Sequence, residues 1–109
     1  NCAAAVANIQ VIQEEHLVAD VHKKGALMKK LLAHTVVKEI RQIGLMFAID
    51  LESKEITQKV VEGCMKRGII TFWFLSCPAS FRLAPPLIIT TEEIRKVCGV
   101  ICEVFDEVK

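Results

Sequence analysis

The chain has 109 residues, 52 % of them apolar, and 14 Lys and Arg against 13 Asp and Glu give it a net charge of +1. That length holds one hydrophobic core and excludes two, and the charge balance excludes a general field for nucleic acid or an anionic membrane. No RNP, zinc-finger or P-loop pattern is present, and no apolar run approaches the roughly 18–20 residues of a transmembrane helix. Adding the five glycines lifts the apolar share above that of an ordinary soluble domain, so such a small unit is expected to hide some surface against another.

Residues 2 to about 18 are predicted to form a helix, Ala-rich at first, then with Ile9, Ile12 and Leu17 set among Gln and Glu. Asp20 is the candidate cap of a second helix to about residue 33, with Val21, Leu27, Met28, Leu31 and Leu32 as its apolar stripe and Gly25 interrupting it. His16, His22 and His34 have no nucleophile nearby and read as helix-surface or helix-end residues. Residues 36–43 and 45–51 read as two strands around Gly44. Val37, Glu39, Arg41 and Ile43 share one face of the first, and Leu45, Phe47, Ile49 and Leu51 share one face of the second. Ser53 is a candidate N-cap for a helix to residue 67, closed by Lys66-Arg67-Gly68 with its cations in the last turn. The β-branched and aromatic run over residues 69–75 reads as a strand, with Phe72-Trp73-Phe74 assigned to the core or, in alternation, to a neighbouring surface.

Ser76-Cys77-Pro78-Ala79 turns the chain into FRLAPPLIITTEE, residues 81–93. Phe81 and Leu83 share one face of this strand, so Arg82 points to the other, beside Ser80 and Ala84. Pro85 and Pro86 cannot donate ladder hydrogen bonds, which places the strand at an edge or the pair at its end. A guanidinium held there offers a fixed fork for a carboxylate; the plainer readings are a solvated arginine or one paired to a structural Asp or Glu. Thr90 and Glu93 form a capping box for a last helix striped by Ile94, Val97, Cys98, Ile101, Val104, Phe105 and Val108. The order implies an α+β two-layer domain, a small and largely antiparallel sheet with helices on one face, preceded by a long N-terminal linker helix.

Cys2, Cys64, Cys77, Cys98 and Cys102 form no CxxC pair, and an odd count without a signal-peptide n-region points to a reducing compartment, the cytoplasm. Cys98 and Cys102 lie one helical turn apart among apolar residues and read as core thiols rather than a metal site. The opening at Asn1 rather than at a methionine fits an excised or trimmed piece of a longer chain.

Three stretches resemble the C-terminal small domain of class III aminotransferases, the pyridoxal-phosphate enzymes of fold type I. NCAAAVANIQVIQEE looks like the helix that links the two domains of that family, IRQIGLMFAIDL its R-G-x-G-L-M strand entry, and FRLAPPLIITTEEI its R-x-x-P-P-L-x-x-T-x-E-E-I signature. The resemblance runs nearly end to end and implies a helical linker region over residues 1–34 and an α+β core over 35–109. It implies that Arg82 is the arginine that grips the α-carboxylate of glutamate or 2-oxoglutarate. Arg41 and Gly44 match the arginine and second glycine of the middle motif, and Gln42 replaces the first glycine. It further implies pyridoxal 5′-phosphate as cofactor, amino-acid and 2-oxo-acid substrates, and a homodimer. The large domain would carry the Schiff-base lysine, and the lysines present sit in polar contexts unlike the apolar pocket such an amine needs. The 109 residues alone are therefore expected to be inactive. Competing readings are a small ferredoxin-like amino-acid-binding regulatory module and a pure dimerisation domain. The Ala-rich opening speaks against the first, and Arg82 before Pro85-Pro86 against the second.

Overall fold

In the computed structural model, which describes residues 1–74 and 76–108, helices α1 (Cys2–Glu14) and α2 (Leu17–Leu31) precede strands β1 (Glu39–Ile43) and β2 (Met46–Asp50). Helix α3 (Lys54–Lys66), strands β3 (Phe72–Trp73) and β4 (Ser80–Leu83), and helix α4 (Thr91–Val108) follow. The four strands form one antiparallel sheet in the order β1-β2-β4-β3. Helix α2 packs on β1 and α3 on β3 and β4, while α4 lies across α2 and α3. This is the expected α+β architecture.

The sheet alternates as the sequence prescribes. Phe47, Ile49, Phe81 and Leu83 are buried toward the helices, with Val60, Cys64, Ile101 and Phe105 above them. Ser53 caps α3 by accepting the Ile56 N–H at 3.2 Å, and Gly68 follows its last turn with φ +86°. The capping box of α4 is reciprocal: Thr90 Oγ1 accepts the Glu93 N–H at 3.2 Å, and Glu93 Oε1 accepts the Thr90 N–H at 3.0 Å. The Thr90 backbone N–H, helped by the Thr90 side chain, holds the Glu93 carboxyl below the usual range.

The opening helix is shorter than predicted. It ends at Glu14, and α2 begins at Leu17 with Asp20 inside its first turn rather than capping it. The break is His16, which takes a left-handed conformation (φ +53°), and residues of its kind tolerate that region better than branched ones. Helix α1 buries none of its residues, whereas α2 lends Met28 to the core and Leu32, just past its end, is buried as well.

Two further expectations are corrected, and a third resolves between its two alternatives. Only Phe72–Trp73 of the 69–75 run is strand, and Leu75 lies outside the described residues. The run pairs only with β4, so the core assignment of its aromatics fails: Phe72 and Trp73 are each 50 % exposed. Strand β4 is interior rather than an edge, and Pro85-Pro86 lie beyond its end, the other placement that their missing donors permit.

Gly44 opens a two-residue hairpin between Ile43 and Met46 with φ +59°, a conformation glycine adopts without steric cost. Helix α2 crosses it backbone to backbone at Gly25, where a Cβ would stand 2.1 Å from the Gly44 carbonyl oxygen. Gly25→Ala gains about 1 kcal/mol of helix propensity but drives a methyl group into rigid backbone. The expected net loss is about 1–3 kcal/mol in urea unfolding, and a stabilised variant would refute this packing.

Candidate functional site

The face of the sheet turned away from the helices is open. Its central cross-strand row is Arg41 of β1, Ala48 of β2, Arg82 of β4 and Phe72 of β3, register partners in that order. The opposite row, Ile40, Ile49, Phe81 and Trp73, faces the helices. Sequence parity therefore sends the two arginines to one side and the core residues to the other. A concavity of about 480 Å³ lies over the row, with Arg41 and Arg82 set among apolar groups such as Met46, Ala48, Phe74 and Ala84.

Arg82 is exposed, and its guanidinium carbon lies 5.3 Å from the centre of the Phe72 ring. Stacking of this kind restrains the plane of the guanidinium without consuming its hydrogen-bond donors. Among the described residues no carboxylate pairs with it. The reading as an arginine tied to a structural Asp or Glu is thus set aside, and a fork remains available to an anion. The strand exit is anchored as well. Lys24 Nζ of α2 donates to the Leu87 carbonyl at 2.8 Å, and the Ile89 N–H donates to the Pro86 carbonyl at 3.1 Å.

Arg41 is in the opposite state. Its Nη2 donates to Asp50 Oδ1 at 2.8 Å, and Asp50 raises its pKa by that hydrogen bond and by its charge. The Ser80 hydroxyl donates to the same carboxylate oxygen. With its proton turned to Asp50, the Ser80 oxygen is left to accept from the Cys77 thiol 3.2 Å away. Burial pushes the Asp50 carboxyl up, but the Ser80 hydroxyl and Arg41 together outweigh it, so its pKa lies below the usual value and it is ionised at neutral pH. This chain of four side chains was not foreseen. A diagonal Arg41–Asp50 pair was inferable from the hairpin about Gly44, but the approach of Ser80 required knowing that β4 lies beside β2.

Gln42, where the resemblance expects glycine, has no positive φ; its Nε2 donates to the Gly44 carbonyl at 3.2 Å. The hairpin stays tight with Gly44 alone. Cys64 and Cys98 are buried thiols, the first pushed up to about 11 by burial, the second to about 12 by burial and the neighbouring Cys102. Cys102 donates to the Leu31 carbonyl at 3.3 Å. Among the described residues no group of three or more His, Cys, Asp or Glu could hold a metal ion, and no helix is long and apolar enough to cross a membrane.

A family model described as aminotransferase class-III matches residues 1–105, and the chain belongs to that family. The acetylornithine aminotransferase of Corynebacterium efficiens is 38 % identical over 110 residues, which cover 98 % of this chain and 26 % of the relative. That of Haemophilus ducreyi is 31 % identical over 107 residues, covering 98 % and 26 %. Among solved structures, the ornithine aminotransferase of Toxoplasma gondii superposes with a TM-score of 0.87 at 30 % identity, over 98 % of this chain and 27 % of that one. The chain thus spans about a quarter of the length of the curated relatives it matches.

The cofactor implied by the resemblance, pyridoxal phosphate, needs an amine to bind it covalently. None of the four strands contains a lysine. The strand residues of the open face by themselves do not form a holding set for that cofactor.

Proposed function

We propose that the protein carrying this chain is a pyridoxal-phosphate-dependent aminotransferase. It would transfer an amino group from an amino acid or ω-amino compound to 2-oxoglutarate. Residues 1–34 would lead from a large cofactor-binding domain into the 35–109 core. The observation that carries the reading is Arg82, exposed, free of a carboxylate among the described residues and stacked on Phe72 over an apolar hollow. The names of the acetylornithine and ornithine aminotransferase relatives support the reaction class.

Arg82 acts by position. A bidentate clamp on the α-carboxylate removes rotation about the bond to Cα and so presents the Cα–H bond in a fixed direction. Phe72 restrains the plane of the fork, and Ala48 and Met46 line the hollow beside it with apolar surface. Bound elsewhere in the protein, the cofactor supplies the electron sink. The exposed Val6 and Ile9 of α1 and Ile43 and Met46 of the sheet leave surface for the large domain and for a second subunit of a homodimer. Five free thiols accord with a cytoplasmic setting.

The test uses the full-length protein loaded with pyridoxal phosphate. L-Glutamate added without an acceptor is expected to bleach the visible band of the cofactor and raise the band of its amine form; an unchanged spectrum would reject the reading. The purified 109-residue chain is expected to release no 2-oxoglutarate from glutamate in a coupled assay, because the strands that carry the Arg82 face hold no lysine to anchor the cofactor beside the clamped carboxylate. Turnover by that chain would contradict this.

A further inference from the structure

Two guanidiniums share the open row, but among the described residues only Arg41 has a counter-charge. Arg41 and Arg82 stand on β1 and β4 with Ala48 of β2 between them. Two interstrand spacings put their Cα atoms about 10 Å apart, and both arginine side chains are long enough to reach over the small methyl group of Ala48. Both line the same hollow. What keeps them unequal is Asp50. Its side chain is 23 % exposed against 52 % for Arg41, so the negative member of the pair is the more fixed. The fully buried Ser80 donates to it, with Cys77 behind.

We propose that Asp50 is a specificity-determining residue: by neutralising Arg41 it limits this end of the site to one carboxylate, taken by Arg82, and turns away ligands that must place two carboxylates on the row. The inference rests on reading Arg82 as the carboxylate clamp. Its physical basis is charge counting. With Asp50 ionised, the Arg41–Asp50 pair presents no net charge, so a second carboxylate over Ala48 finds no uncompensated cation on β1 and meets the opposing charge of Asp50 beside it. An extended substrate that points its remaining functional group away from the row meets no such penalty. Glutamate held through its α-carboxylate is one. Ser80 and Cys77 keep Asp50 from swinging away, so the discrimination is built into the sheet rather than left to a mobile side chain.

Succinate and butyrate are the probes, equal in carbon count and differing by one carboxylate. Their dissociation constants are measured by calorimetry on the full-length protein loaded with cofactor. Asp50→Asn removes the counter-charge and frees Arg41; it is expected to shift the preference toward succinate by roughly fivefold, the size of a half-exposed charge-assisted hydrogen bond, with butyrate affinity little changed. The double variant Arg41→Gln/Asp50→Asn should return the preference to its starting value. Arg41→Gln alone leaves Asp50 unpaired and should shift it the other way, against succinate. This second sign is independent of whether Asp50→Asn folds well, and a purely structural role for the pair would move thermal stability without moving the ratio. A succinate-to-butyrate ratio unmoved by either single variant would overturn the proposal. Arg82→Ala separates the two levels. If it weakens both acids while the ratio ignores Asp50, only the role of Asp50 fails. If it weakens neither, the clamp reading itself fails.

Discussion

If Arg82 is the carboxylate clamp proposed above, replacing it with alanine in the full-length protein is expected to raise the KM for glutamate and for 2-oxoglutarate by about tenfold to a hundredfold, with cofactor affinity barely moved. The magnitude follows from the bond that is lost. A hydrogen bond to a charged group contributes about 1.5–3 kcal/mol, and each 1.4 kcal/mol is a factor of about ten. Arg82 is at the upper end of what an exposed group can contribute because stacking on Phe72 removes part of the ordering cost. No internal carboxylate among the described residues has to be displaced before substrate binds. Arg82→Lys keeps the charge and loses both the fork and the stacking, so it should recover only part of the loss. Half-reaction kinetics with glutamate give the measurement directly, since they separate substrate binding from the second half-reaction. Unchanged glutamate kinetics in Arg82→Ala would mean that the carboxylate is held elsewhere and that Arg82 is merely a solvated side chain.

Arg82 was legible in the sequence because strand parity is a short-range property. Once Phe81 and Leu83 are assigned to the core, the residue between them must face outward, and the buried pair with exposed Arg82 bears this out. The capping box at Thr90 and Glu93 was legible for the same reason, since its two hydrogen bonds span three residues. What the sequence concealed is non-local. The interior place of β4 depends on β2 and β3 pairing on its two sides, and nothing within residues 80–86 records those neighbours. The aromatic run misled because β propensity reflects fit to a pleated surface and says nothing about which neighbours cover it. Phe72 and Trp73 sit at the rim with β4 on one side only. Arg41 was visible as a motif residue, yet its counter-charge is completed by Ser80 from a strand that arrives thirty residues after Asp50.

The site also depends on the core directly beneath it, and Phe81→Ala is expected to be the most damaging single change for folding, at about 3–5 kcal/mol. Phe81 is fully buried one residue before Arg82. Its ring meets Phe105 of α4 edge-on at 6.2 Å between centres, which ties the interior strand to the last helix. Removing it opens a cavity that β4 cannot close by moving, because β2 and β3 hydrogen-bond to it on both sides. The loss therefore combines the transfer of the ring with an unrelaxed void. Against the roughly 5–15 kcal/mol of an ordinary domain, this removes a large share of the total. Phe81→Leu keeps most of the volume and should cost much less. Urea unfolding of the 109-residue chain, followed by the fluorescence of its single tryptophan, Trp73, reads both variants. A loss below about 1 kcal/mol for Phe81→Ala would show that the strand bearing Arg82 is not braced by α4. The fixed direction of the guanidinium would then have to come from Phe72 alone.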